Sequence, residues 1–113
     1  MKLQIDSTKF GSITIEGEKI KHDVIIRLDG KIKKRKKKLS KAISQDEAQY
    51  VYQKGAEKLI IGTGQYDTVK LSDEAEKYFK QKHCRVKLLS TPKAVSAWNK
   101  AKGAVIGLFH VTC

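Results

Sequence analysis

From Ala104 to Thr112 the chain carries nine consecutive residues without a formal charge, the longest apolar run in the sequence. On an extended strand Val105, Ile106, Leu108, Phe109 and Val111 fall on both faces, so neither face is offered to water. That predicts a central strand covered on both sides. The remaining residues must furnish the covering layers, and 113 residues hold one such core.

Helices and strands alternate ahead of it. Ser44-Gln45-Asp46-Glu47 is a capping box, with Ala48, Val51 and Tyr52 as the apolar stripe and Gly55 as the stop. Ser72 caps a second helix, with Asp73, Glu74 and Glu76 in its first turns and Ala75, Tyr78 and Phe79 on its inner face. Thr91-Pro92 pairs an N-cap with proline at the first helical position; Ala94, Val95, Trp98 and Ala101 line that helix up to Gly103. Lys58-Leu59-Ile60-Ile61 and Arg85 to Leu89 read as strands between the helices. Nearer the N-terminus, Phe10 to Leu28 reads as a β-hairpin, because Ile13, Ile15, Ile20, Val24, Ile26 and Leu28 alternate with polar residues. A Gly17-Glu18 turn sets Ile15 opposite Ile20 and Ile13 opposite His22, with the apolar members on one face. The order predicts an α/β fold: a three-layer single domain over residues 1–113, with a central mixed, partly parallel sheet flanked by helices, plus an N-terminal β-hairpin.

Hydrophobic residues make up 40% and charged residues 32%, which suits a core-forming chain and excludes a disordered tail. No apolar run approaches the ~18–20 residues of a membrane span, and the N-terminal residues offer no secretory signal. Two cysteines do not make a disulfide framework. The expectation is a cytoplasmic protein without membrane contact, a monomer or small homo-oligomer. Net charge is +12, but Lys31, Lys33, Lys34, Arg35, Lys36, Lys37 and Lys38 supply seven positive charges, leaving +5 on the rest. Only Arg27, Arg35 and Arg85 are arginine, and lysine is a hydrated point charge ill suited to bidentate recognition. With no aromatic interleaved for stacking, residues 31–41 read either as a solvated, flexible loop or as a weak polyanion contact through Lys33, Lys34, Arg35, Lys36 and Lys37.

Gly62-Thr63-Gly64-Gln65 follows an apolar strand, at the carboxyl-end position where open α/β sheets bind ligands. Glycines there let backbone N–H groups approach an anion, with Thr63 and Gln65 as hydrogen-bonding side chains. The dinucleotide fingerprint fails, since Asp67 stands where its third glycine belongs, and the P-loop motif is missing. A tight turn needing positive φ is the competing reading. Asp23 and Arg27, on the polar face of the hairpin's second strand, lie ~13 Å apart at ~3.3 Å per residue and cannot pair. They are either ordinary strand charges or residues lining one groove. His83 and Cys84 take opposite strand faces, as do His110 and Cys113, and no zinc motif is present, so the sequence points to no metal and no cofactor. His22 reads as a satisfied core or edge histidine. A Cys84–Cys113 disulfide requires their Cβ atoms to meet. There is no nucleophile elbow and no legible carboxylate pair.

Five motifs then run in order: Phe10-Gly11-Ser12-Ile13; His22-Asp23-Val24-Ile25-Ile26-Arg27; Ile60-Ile61-Gly62-Thr63-Gly64-Gln65; Thr91-Pro92-Lys93-Ala94-Val95 with Trp98-Asn99; and Gly107-Leu108-Phe109-His110-Val111-Thr112-Cys113. Together they cover nearly the whole chain. The set resembles a widespread family of small uncharacterised α/β proteins, the Mth-type domain of unknown function. That family includes the adipogenesis-associated Mth-type domain protein and a mitochondrial complex I assembly factor. The resemblance implies a three-layer domain around a mixed sheet, no established catalytic activity, and assembly or regulatory roles through protein contacts. It maps the family's recurrent positions onto Asp23, Arg27, Gly62, Thr63, Gly64, Gln65, Thr91, Pro92 and Asn99. The leading expectation is a non-enzymatic binding or assembly module with an unidentified protein partner. The first alternative is a small-molecule- or anion-binding enzyme at Gly62–Gln65, near the Thr91-Pro92 helix start, with Asp23, Arg27 and Asn99 as further site residues. The second is weak nucleic-acid binding through Lys31–Lys38.

Overall fold

A computed structural model describes residues 3–35, 42–66 and 69–112. The chain forms β1 (Ile5–Lys9), β2 (Ser12–Ile15), β3 (Glu18–Ile20), β4 (Val24–Ile26), β5 (Ile32–Lys34), β6 (Ala42–Ile43), α1 (Gln45–Val51), β7 (Lys58–Thr63), β8 (Lys70–Leu71), α2 (Asp73–Gln81), β9 (Arg85–Leu89), α3 (Thr91–Lys100) and β10 (Val105–His110). The long apolar run is β10, buried at every position. It is the middle strand of a five-stranded sheet ordered β5-β4-β10-β7-β9. It pairs antiparallel with β4 and parallel with β7, while β7 pairs parallel with β9 and β4 antiparallel with β5. The sheet is mixed, as the interleaved helices predict.

Strand alternation sorts the central side chains into two cores. Val24, Ile26, Ile60, Val105 and Phe109 pack with Ile5, Ile13, Ile15 and Ile20 of the N-terminal strands and with Ala94, Val95 and Trp98 of α3. Ile25, Leu59, Ile61, Ile106 and Leu108 pack on the opposite face with Ala48 and Val51 of α1 and Ala75 and Phe79 of α2. These are the three layers. Gly107 faces the first core, where a Cβ would lie 2.6 Å from Phe109 and 3.1 Å from Trp98. Its bare backbone lets those two rings meet edge-on, with centroids 5.9 Å apart.

Ser44 and Ser72 cap their helices as their spacing predicts: Glu47 N donates to Ser44 Oγ at 3.2 Å, and Ala75 N donates to Ser72 Oγ at 3.1 Å. The third helix starts one residue earlier than its Thr91-Pro92 pair suggests. Ser90 is the N-cap, with no side-chain capping bond, and Thr91 stands inside the helix, fully buried.

The N-terminal hairpin is present as β2 and β3, with an added strand and a different register. β1, which the alternation did not reveal, joins β2, so the N-terminal unit is a three-stranded antiparallel sheet, β1-β2-β3. Its β2–β3 turn is Glu16-Gly17, with φ of 49° and 82°, as a two-residue turn with both central residues at positive φ demands. Ile15 therefore faces Glu18 and Ile13 faces Ile20. A slip of two residues keeps every apolar side chain on the same face, which is why alternation cannot detect it. Val24–Ile26 leaves this unit and enters the central sheet. Residues 32–34 of the lysine run form β5 instead of a loop, whereas Lys36 to Lys41 lie outside the described residues. Finally, β6 and β8 make a short parallel pair.

Candidate functional site

The Gly62–Gln65 turn sits at the carboxyl end of β7, against the start of α3, and is filled from within. Thr91 donates its hydroxyl to His110 O at 2.6 Å and accepts Gly64 N at 2.9 Å; Thr91 N donates to Gly64 O at 2.9 Å. Gln65 N donates to Thr112 O at 2.8 Å, Gln65 Nε2 reaches Thr8 Oγ1 at 3.2 Å, and Thr63 Oγ1 donates to Leu89 O at 2.9 Å. Gly62 is glycine for want of space, since a Cβ would lie 3.0 Å from both Thr91 Oγ1 and Phe109. An anion site needs amides that point outward. Those of Gly64 and Gln65 point into the protein, and Gly64 takes the positive φ, 105°, of a tight turn.

Asn99 and Arg27 work elsewhere. Asn99 clamps β1 as a neighbouring strand would: Ile5 N donates to its Oδ1 at 2.9 Å, and its Nδ2 donates to Ile5 O at 2.8 Å. Trp98 Nε1 adds a bond to Leu3 O at 2.7 Å. Arg27 Nη1 donates to Tyr50 O at 3.3 Å, and the residue borders a cleft of about 420 Å³ with Trp98, Ala101 and Ala104. Asp23 takes no part in that cleft, so Asp23 and Arg27 do not line one groove.

Asp23 instead lies at the centre of a buried network, 6% exposed. Its Oδ2 accepts from His110 Nδ1 at 2.7 Å and from Arg35 Nη1 at 3.0 Å, and its Oδ1 accepts from Val111 N at 2.9 Å. The Arg35 guanidinium also grips both carboxylate oxygens of Glu47, through Nε and through Nη2, the latter at 3.1 Å. This overturns the assignment of Arg35 to polyanion contact, because the residue is 1% exposed. Its fixed fork and permanent charge explain why an arginine, and none of the surrounding lysines, occupies this place. Lys33 and Lys34 stay exposed on β5, with Lys33 Nζ 5.9 Å from the centre of the Tyr50 ring. Lys36 and Lys37 lie outside the described residues.

Burial alone would raise the Asp23 carboxyl, but the His110 ring, the Val111 amide and Arg35 outweigh it and hold the group below the ordinary carboxylate range. Burial would likewise lower Arg35; Glu47 first and Asp23 second keep it more firmly protonated than usual. No buried side-chain polar atom among the described residues lacks a partner. The network ties the residue before β4, the residue after β5, α1 and β10 together, and its buried polar atoms find their partners within the protein. Sequence reasoning named Asp23 but missed its partners, which lie 12 residues away at Arg35 and 87 away at His110. The available signals were the lone arginine in a lysine run and a capping-box glutamate.

A larger groove, about 990 Å³, opens between β8, α2 and β9. Val69, Leu71, Phe79, Cys84, Val86 and Leu88 form its apolar lining, and Lys70, Lys80, His83 and Arg85 stand around it with one acid, Glu76. Leu88 is 42% exposed. Burial pushes the Cys84 thiol up to about 11, which removes it as a nucleophile at neutral pH. Cys113 lies outside the described residues. Among the described residues no three His, Cys, Asp or Glu side chains gather as metal ligands.

A family model described as a protein of unknown function (DUF498/DUF598) matches residues 5–107. A conserved hypothetical protein from Pyrococcus horikoshii OT3 shares the fold with a TM-score of 0.89 and 25% identity, over 97% of this chain and 99% of its own. A Bordetella pertussis protein described as a Mth938-like domain matches with a TM-score of 0.76 and 13% identity, over 96% of this chain and 85% of its own. A Bartonella henselae protein described as an outer membrane protein matches with a TM-score of 0.78 and 20% identity, over 99% and 97%. No described helix of the present chain is long and apolar enough to cross a membrane.

Proposed function

Because the chain belongs to the DUF498/DUF598 family of proteins of unknown function, whose description assigns no activity, we propose from its geometry that it is a non-enzymatic binding module. It acts through protein contacts at the groove between β8, α2 and β9. The observation that carries this reading is the exposed apolar wall of that groove, Leu88 above all. Apolar surface left to water in a concave setting marks a contact site. The polar residues first suspected as a site, by contrast, are engaged in holding the fold: Thr91 fills the Gly64 turn, Asn99 clamps β1 and Asp23 anchors Arg35. An assembly role of the kind attributed to the eukaryotic proteins the chain resembles is the finer form of the same reading.

A photo-crosslinking amino acid placed at Leu88, and separately at Ile32 on the far edge of the sheet, tests it in native lysate. Discrete adducts are expected from position 88 and should disappear when Lys80 and Arg85 are replaced by glutamate. Equal adduct patterns from both positions, or none from Leu88, would count against the groove.

A further inference from the structure

Resting on that reading, we propose that the groove accepts an acidic, extended segment of a partner protein, which adds to β9 as a further strand of the central sheet. β9 ends the sheet order, and among the described residues its outer edge has no neighbouring strand. Arg85 N donates inward to Glu57 O, and the parallel register with β7 continues to Leu89. In a parallel pair, residues of one parity direct both backbone groups at the neighbour and those of the other parity direct them away. Arg85, Lys87 and Leu89 therefore face β7, and the N–H and C=O groups of Val86 and Leu88 face outward. The side chains of Val86 and Leu88 line the groove, as do those of Phe79 and Leu71. One pair of residues thus offers both the pairing groups and the apolar floor that strand addition uses.

Charge selects the occupant. Lys70, Lys80 and Arg85 surround the groove beside a single acid, Glu76, which engages Lys80 at 3.4 Å, so the surroundings stay net positive. A second copy of this chain pairing through the same edge would bring Arg85 and Lys87 against basic residues of its own kind, which directly opposed like charges disfavour. The chain's net charge of +12 adds to that repulsion. A partner segment alternating carboxylates with apolar side chains sets the apolar ones on the floor beside Val86 and Leu88 and the carboxylates on the other face, beside Arg85 and Lys87.

The test is a titration of isotope-labelled protein with a synthetic heptapeptide alternating glutamate with valine and leucine. Saturable shifts should map to Val86, Leu88 and Phe79, amide exchange at Val86 and Leu88 should slow about tenfold, and affinity should fall with salt. The variant Leu88→Asn should bind roughly tenfold more weakly, its folding checked by its own amide spectrum. Two further peptides separate the claims. One is methylated on alternate backbone nitrogens, which removes pairing donors while keeping the side chains; the other carries lysine for glutamate. Equal binding of the methylated peptide overturns strand addition, and equal binding of the lysine peptide overturns the acidic partner. Either result leaves a protein-contact groove standing. Failure of the acidic peptide to bind overturns the proposal, while the groove itself is judged by cross-linking at Leu88.

Discussion

Replacing Arg35 with methionine keeps much of the side chain's bulk and deletes its guanidinium. The carboxylates of Asp23 and Glu47, 6% and 4% exposed, then lose their shared cation. Removing one partner of a buried ion pair costs about 3–5 kcal/mol, because the charge left behind remains out of water. Asp23 retains donors from His110 and Val111, so the loss falls mainly on Glu47. The lower end, about 3 kcal/mol, is the expected cost. With a urea m-value of about 1.5–2 kcal/mol/M, the unfolding midpoint should drop by roughly 1.5–2 M. Trp98, the single tryptophan, is 1% exposed and packed edge-on against Phe109, which makes its fluorescence a direct reporter of the transition. Lys33→Gln, two positions earlier and exposed, should cost less than about 1 kcal/mol. Adding Glu47→Leu to Arg35→Met removes the stranded charge and should recover a large part of the loss. A midpoint shift for Arg35→Met no larger than that of Lys33→Gln, or a double variant weaker than the single, would refute the reasoning.

Stability should also respond to acid through Asp23. Its folded carboxyl is held below the ordinary range, so its contribution is complete above the unfolded value of about 3.9 and fades as pH falls from there through the folded value; Asp23→Asn should flatten this acid limb of the urea midpoint, and an unchanged limb would contradict the assignment. Thr91→Val preserves shape but leaves Gly64 N without its acceptor and His110 O without its donor, for about 1–3 kcal/mol. The melting temperature should fall by roughly 4–12 °C, and an unchanged value would show that the turn does not depend on that hydroxyl. Cys84, its thiol pushed up to about 11 by burial, should resist a thiol reagent at pH 8 in a Cys113→Ser variant until the protein is denatured; rapid modification of that native variant would contradict its burial.

What could be read from the sequence follows from the range of the interactions involved. The three helices declared themselves because caps and stripes are local: Ser44, Ser72 and the Ala94-Val95-Trp98 face are decided within a turn or two. β10 declared itself because a strand buried on both faces leaves an unbroken apolar run. The N-terminal register was hidden, since a two-residue slip preserves alternation, and β1 was hidden because its burial pattern shows only Ile5 fully covered. The site residues misled for a different cause. Asp23, Thr91 and Asn99 look like ligand-binding groups because they are polar and set in apolar surroundings, yet their partners are backbone and side-chain groups brought in from distant segments. The groove offered no motif at all. Its wall combines β8, α2 and the edge of β9, and that edge position became visible only with the strand order.

The two edges of the sheet now give the lysine run a physical meaning. β5 is three residues long, exposed throughout, and carries Lys33 and Lys34; Arg35, immediately after it, is pinned to Asp23 and Glu47. Short, lysine-bearing edge strands resist pairing with other chains, so the basic run begins as a guard on that edge, anchored by its one arginine. β9 is built differently. It is five residues long, and its outward-facing residues, Val86 and Leu88, border an apolar groove. Such an edge would ordinarily invite self-association. Arg85 and Lys87 oppose it, since a second basic copy brings like charges into register, whereas an acidic segment brings opposite ones. A strand edge closed to its own kind and open to a complementary chain meets the requirement for specific strand addition, in which attraction and exclusion arise from the same few side chains.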